Sequence, residues 1–238
     1  LSEYAKQFNT VELNTLFYGI PKEEQVAKWR ELAIKRPDFV FCPKFPKIIS
    51  HIKRLNKAAI ETDLYLRSIA NFEDKLGPCF LQLSDSFSPN QLNELREYLI
   101  GLPKDFFVEV RHTGWFKEPA QQQLFEMLAE LKVGAVITDT TGRRDVLHMQ
   151  VTVPKVFIRF VGNGGAFLDI SDKNRVDGWV NKLADWLDRG LEEIYFFLHQ
   201  PNEIDTLVIA DYTIERFNKI LGSDLPPVRF IPKQTGLF

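Results

Sequence analysis

The sequence predicts an α/β protein built on a parallel sheet, and three observations carry that prediction. Short runs rich in apolar, β-branched and aromatic residues recur at roughly 30-residue spacing, about the length of one βα unit. Longer stretches of helical periodicity lie between them, the alternation that a parallel sheet requires. The chain of 238 residues is 45% hydrophobic, 26% charged and 13% aromatic. Those fractions are ordinary for globular proteins and exclude disorder, a collagen-like fibre and a small disulfide scaffold.

The predicted strands are Thr10–Asn14, Phe39–Lys44, Cys79–Leu83, Phe106–Arg111, Val133–Asp139, Val156–Phe160 and Ile194–His199. The first predicted helix after a strand is Glu23–Ala33, with Val26, Trp29 and Leu32 at the spacing of one face. Asn56–Asn71 and Pro89–Leu99 follow, the latter opened by Ser88 as N-cap and Pro89 at the first helical position. Gln121–Leu131, Arg175–Arg189 and Leu207–Leu221 complete the set, with Gly190 and Gly222 placed as helix C-caps. The polar link from Asp139 to Val156 is too short for a full helix and predicts an irregular crossover.

Seven strands suit either a doubly wound open sheet or an eight-stranded barrel. The chain opens at Leu1 inside the helix-like Ser2–Phe8, so a first strand is expected to precede it. No linker-like stretch divides the sequence, which predicts one domain over residues 1–231 and a tail at 232–238. Lys and Arg number 30 against 32 Asp and Glu, a net charge of -2, so any anion site must be local. There is no apolar run of membrane-span length and no signal peptide, and a soluble, cytoplasmic protein is expected. Cys42 and Cys79 lie inside apolar strand runs and read as reduced core thiols.

Side chains alternate across a strand, so parity sorts them by face. Glu12 and Asn14 share one parity in the first strand; Phe107, Glu109 and Arg111 share one in the fourth. Lys44, Gln82, Asp139, Arg159 and His199 fall late in or at the ends of the other strands. Every strand thus carries a polar group near its C-terminal end, where barrels and open α/β sheets bind ligands. The competing reading makes these groups solvated strand ends, with Glu109 and Arg111 a structural ion pair.

Between Pro43 and Ile60 the chain has Lys44, Lys47, His51, Lys53, Arg54 and Lys57 and no carboxylate, and Arg143 and Arg144 follow Asp139. Basic groups on one rim with Arg111 and Arg159 point to an anionic ligand, phosphate first. Phe17, Tyr18, Phe87, Trp115 and Phe116 lie in the same loops, either as stacking platforms or as anchors packed on the core. The four histidines form no metal motif; His112 and His199 with Glu12, Glu109 and Asp139 make a weak candidate for a divalent ion. No cofactor is evident, and there is no nucleophile elbow, Walker loop or dinucleotide fingerprint.

"FNTVELNTLFYGIP" at Phe8–Pro21, "KFPKIISHIKRL" at Lys44–Leu55, "KLGPCFLQLSDSF" at Lys75–Phe87, "FFVEVRHTGWF" at Phe106–Phe116 and "VFIRFVGN" at Val156–Asn163 resemble the DUF72, or YecE-like, family in that order. The resemblance covers nearly the whole chain. It implies a TIM barrel and a set of motif positions at Glu12, Asn14, Lys44, His51, Gln82, Glu109, Arg111, His112 and Trp115. It fixes no activity. The Gly-Thr-Ser-Gly-Trp-type first strand of the family is not in this sequence. A likeness of the family to metal-dependent endonuclease barrels adds a divalent metal as an expectation, for which the sequence offers no clear ligand set. The end of the chain, Gln234 with Leu237 and Phe238, is similar to the peptide by which bacterial DNA-metabolism proteins dock on the sliding clamp; the other reading packs Leu237 and Phe238 on the protein's own surface.

The leading expectation is therefore a phosphate-bearing ligand, nucleic acid or nucleotide, and hydrolysis of a phosphoester. Arg111, Arg159 and Lys44 hold the anion, Glu109 or Glu12 is base or metal ligand, and His112 or His199 donates the proton. The alternatives are a noncatalytic nucleic-acid module recruited by its tail, and a glycosidase using Glu12 and Glu109 as its carboxylate pair.

Overall fold

The computed structural model describes residues 1–103, 105–163 and 171–230. Its elements alternate as the sequence predicts: α1 (Ser2–Gln7), β1 (Thr10–Leu13), α2 (Glu23–Ala33), β2 (Val40–Pro43), α3 (Ala59–Ala70), β3 (Cys79–Gln82), α4 (Leu92–Ile100), β4 (Phe106–Glu109), α5 (Ala120–Leu131), β5 (Gly134–Thr140), β6 (Lys155–Val161), α6 (Asp172–Asp188), β7 (Glu193–His199) and α7 (Glu203–Leu221). Before α4, Ser88 N–H donates to Gln91 Oε1 at 3.3 Å and Pro89 opens a 3-10 turn, a capping box. Gly190 and Gly222 have φ of 98° and 71°, the left-handed conformation that a C-cap needs. The crossover after β5 is irregular, a kinked 3-10 stretch at Thr141–Val146. In α2 the buried positions are Val26 and Ala33; Leu32, expected on that face, is 49% exposed because the helix meets its neighbours along 26 and 33. No helix among the described residues is long and apolar enough to cross a membrane.

The chain divides into two compact units, one of Leu1–Phe160 with Leu191–Phe197 and one of Val161–Gly190 with Leu198–Phe238. In the first unit β1 and β2 pair in parallel, Glu12 opposite Cys42. A separate sheet has the order β3-β4-β5-β6-β7. Within it β3 and β4 are parallel, Gln82 opposite Glu109, and β4 and β5 are parallel as well. Two parallel bridges, Phe41 to Leu76 and Lys44 to Phe80, tie β2 to the β3 segment. The strands are therefore sequential, but the described residues show two hydrogen-bonded sheets and no closed barrel.

The sheet is nevertheless curled. Arg159 on β6 donates to Glu12 on β1 at 2.8 Å and 2.9 Å. In a flat sheet those strands would lie about 24 Å apart, five inter-strand steps. One side chain from each of β2 to β7 forms an apolar cluster inside the curl: Cys42, Phe80, Phe107, Val136, Phe157 and Phe197. Its aromatic rings pack tilted, with Phe157 between 4.7 and 5.5 Å from the rings of Phe80, Phe107 and Phe197. Cys42 and Cys79 are free and buried, and burial pushes both thiols up, Cys79 to about 12. The second unit is held by Asp177 on α6, which accepts from Tyr212 and Arg216 on α7.

His148 follows the irregular crossover and is buried. Its Nε2–H donates to the Val136 carbonyl at 3.0 Å, and its Nδ1 accepts from the Gln150 N–H at 3.3 Å. A ring that accepts at Nδ1 has no room for a second proton. Burial, opposed by the Val136 bond, pushes its pKa down to about 4 from an ordinary 6.5. The unfolded chain therefore binds a proton between pH 6.5 and 4 that the folded chain does not. Stability attributable to this residue is complete above pH 6.5 and falls as the pH drops toward about 4, by up to about 3 kcal/mol. Urea denaturation of wild type and His148→Gln across that range checks it: the variant is expected to lose less stability than wild type on acidification.

Candidate functional site

The apolar cluster is the floor of the site. Two residues further along each of β2 to β6, on the same face, the side chains become polar: Lys44 after β2, Gln82 on β3, Glu109 on β4, Thr138 on β5 and Arg159 on β6, with Glu12 contributed by β1. All of them but Thr138 belong to one continuous relay. Lys44 Nζ donates to Gln82 Oε1 at 2.9 Å, and Gln82 Nε2 donates to Glu109 Oε2 at 2.9 Å. Arg159 donates to the same Glu109 oxygen at 3.0 Å and forks onto both oxygens of Glu12. Asn14 closes the chain by donating to Glu12 Oε1 at 2.6 Å. The side chains of Glu12, Glu109 and Arg159 are only 3%, 2% and 11% exposed. Burial alone would lower the basicity of Arg159; Glu109 and Glu12 outweigh it and hold the guanidinium firmly charged.

Two groups in the relay are incompletely satisfied. Glu109 Oε1 is buried and has no hydrogen-bond partner among the described residues. Arg111 NH1 lies 3.9 Å from it, a gap that a water or ligand oxygen can bridge. Lys44 is 7% exposed, yet its described acceptor is the neutral Gln82 carboxamide. Its ammonium lies 4.4 Å from the Phe17 ring centroid and 5.7 Å from that of Phe80. Burial pushes its pKa down to about 8, helped by the charge of Arg159 and opposed by Glu109 and Glu12. Burial, then the charges of Lys44 and Arg111, likewise lowers the basicity of His51. That residue sits in a one-turn π-helix at Ile48–Ile52, its ring edge-on to Phe17 at 5.0 Å.

Other sequence candidates are placed elsewhere. Asp139 has the opposite parity from Val136 to Thr138 counting and pairs with Arg144 in the crossover; Thr138, which sequence reasoning passed over, takes the inward position, its Oγ1 buried without a described partner. Trp115 is fully buried with its indole N–H on the Phe87 carbonyl at 2.7 Å, so it anchors the loop and offers no face to a ligand. His112 accepts the Gly114 N–H at 3.0 Å through Nδ1 and caps the following 3-10 turn. His199 ends β7 in the second unit, where its carbonyl accepts from Gly162 N–H. Gln234, Leu237 and Phe238 lie outside the described residues.

The basic run is less available than its sequence suggests. Lys53 pairs with Glu61 at 2.7 Å, and Arg54 binds the Ser86 carbonyl and Gln91 Oε1, latching two loops together. Arg54, Leu55 and Lys57 all have positive φ, 51°, 69° and 50°, which delays α3 to Ala59 where periodicity predicts Asn56. Arg111 donates to Asp85 at 3.1 Å and keeps the rest of its guanidinium at the rim. Among the described residues no group of three or more His, Cys, Asp or Glu side chains converges to hold a metal ion. The Arg159 guanidinium donates to both Glu12 and Glu109, so the space that a glycosidase keeps between its carboxylates for water and the glycosidic oxygen is filled.

An α/β sheet with parallel strands, carrying its charged side chains at the carboxyl ends of those strands, is the class that fold and site define. The chain belongs to the DUF72 family: the family model, described as a protein of unknown function, matches residues 1–229. It is similar to the UPF0759 protein YecE of Escherichia coli K12, 33% identical over 261 residues that cover 100% of this chain and 92% of that protein. In fold it is similar to a DUF72 family protein of Enterococcus faecalis V583, with a TM-score of 0.75, 23% identity and coverage of 94% of this chain and 93% of that one. A DUF72 family protein of Thermotoga maritima MSB8 gives a TM-score of 0.64 at 23% identity over 91% of this chain and 85% of that one.

Removing Arg159 leaves Glu12 and Glu109 as buried like charges. Arg159→Met is expected to cost about 3–5 kcal/mol of stability at neutral pH, read by urea denaturation. Arg159→Lys, which keeps the charge and loses the fork, is expected to fall between the variant and wild type.

Proposed function

We propose that the rim above the apolar floor binds a phosphate-bearing ligand and moves a proton on it. The observation that supports this is the state of the two cations around the relay. Both carboxylates are committed to Arg159, which leaves Lys44 with a neutral acceptor and Arg111 with an exposed carboxylate partner. An anion lowers the free energy of both, and a phosphate offers enough oxygens to meet two donors at once. Arg159 leaves the anion-holding set and becomes a positioning residue. Glu109, with one oxygen unmatched by a donor, is the base. Hydrolysis of a phosphoester, nucleotide or nucleic acid included, with Glu109 accepting the proton of the attacking water, is the simplest reaction of this kind.

The same reading takes the sequential strand order and the β1-to-β6 contact as the wall of a TIM-type barrel, whose ligands bind at this end. Its test is direct. Calorimetric titration of the full chain with inorganic phosphate, pyrophosphate and a nucleoside monophosphate is expected to show binding that weakens with salt. Arg111→Met is expected to reduce the affinity about tenfold or more, the worth of one charge-assisted hydrogen bond. Absence of heat with all three anions, or a variant that binds as wild type does, refutes the phosphate reading.

A further inference from the structure

We propose that Lys44 is a covalent site: its amine condenses with the carbonyl carbon of a small phosphorylated aldehyde or ketone. The inference rests on the reading of the rim as a phosphate site but places the phosphate on Arg111 alone, freeing Lys44 to meet the ligand's carbonyl carbon as the reacting centre. Four features of Lys44 support it. It stands at the carboxyl end of β2, in the polar layer that the apolar floor shields from below. Its ammonium has a described hydrogen bond only to the uncharged Gln82 Oε1, so no carboxylate in that bond holds the proton in place. The Phe17 and Phe80 rings, at 4.4 and 5.7 Å, wall it off from bulk water and fix its position, while their faces attract the ammonium form. Burial, Arg159 and Arg111 lower its basicity against the opposing pull of Glu109 and Glu12, to a pKa of about 8, so a useful fraction of the amine is neutral near physiological pH.

The step balances without any further reactant. The ammonium gives one proton to solvent, and the free amine pair forms a C–N bond to the carbonyl carbon while the C=O π pair moves to oxygen. The adduct nitrogen then gives up a second proton, oxygen takes up two protons in all, equal to the two that nitrogen has released, and leaves as water, and the remaining nitrogen lone pair closes the C=N bond to give an iminium that keeps one hydrogen and the positive charge at Nζ. Gln82, bonded to Lys44 at one end of its carboxamide and to Glu109 at the other, fixes the amine relative to the base that would then take a proton from the neighbouring carbon.

The experiment is reductive trapping on the full chain with glycolaldehyde phosphate or glycolaldehyde, sodium borohydride, and peptide mass mapping. Lys44 is expected to be labelled ahead of all other lysines, about tenfold more with the phosphorylated aldehyde, the gain from one charged contact. Its yield should rise with pH and level off above about 8, whereas surface lysines continue to gain reactivity toward their ordinary pKa. Lys44→Arg keeps the charge and is expected to lose the adduct. Mapping on wild type makes the result independent of how any variant folds. Labelling spread over surface lysines, or none at Lys44, overturns the Schiff base; retained phosphate binding in calorimetry then leaves the phosphate reading standing. Preferential Lys44 labelling that is equal for the two aldehydes instead overturns the phosphorylated substrate class and, with it, the phosphate reading of the rim.

Discussion

Arg159 ties three strands of the first unit together. Its guanidinium meets a carboxylate 147 positions earlier in the chain and another 50 positions earlier, from β1 and β4. Each of those carboxylates would be strongly unfavourable alone in an environment this buried. Together the three groups tolerate burial because the planar fork matches both oxygens of Glu12 and still reaches Glu109. The geometry demands that β1, β4 and β6 face a common interior. The curl of the sheet and the pairing of the charges are thus one constraint, each requiring the other.

What lies under the relay decides how strongly it acts. The cluster of Phe80, Phe107, Phe157 and Phe197 with Cys42 and Val136 excludes water from below, so charges one layer up feel little screening. That environment strengthens the Arg159 pairs and penalises the ammonium of Lys44, whose described acceptor is neutral. Loops complete the enclosure. Arg54 ties the segment after β2 to the one after β3, and Trp115 pins the loop after β4 onto the Phe87 carbonyl. A rigid frame with one loosely compensated lysine is the outcome.

Much of this layer is readable from strand parity. Gln82, Glu109 and Arg159 stand two residues beyond an inward apolar side chain, Glu12 stands two beyond Thr10, and the alternation of a strand carries them to the same face. The pattern failed at β5, where Asp139 and Thr138 are both polar and late. Only the burial of Val136 in the floor shows that Thr138, two residues on, is the one that turns inward. It failed in a different way in the basic run after β2. A stretch without a single carboxylate reads as uncompensated charge, yet Glu61 reaches back from α3 to Lys53, and the Ser86 carbonyl and the Gln91 side-chain oxygen take up Arg54. The three left-handed residues there carry no glycine signal that would have announced them. Trp115 was ambiguous for a similar reason, since a loop tryptophan looks the same in sequence whether it stacks on a ligand or on its own core.

The sequence by itself determined the alternation of strands and helices, their caps, and which side chains share a face at the strand ends. These are local properties, set by periods of two and 3.6 residues and by single residues such as Pro89, Gly190 and Gly222. The tertiary structure alone decided that Arg159 meets two carboxylates of its own chain, that Lys44 is left with a neutral partner, and that the strands curl far enough to bring β6 to β1. The physical reason is range. A charge finds its partner through the curl of the strands across as many as 147 positions, and no pattern read along the chain contains that distance.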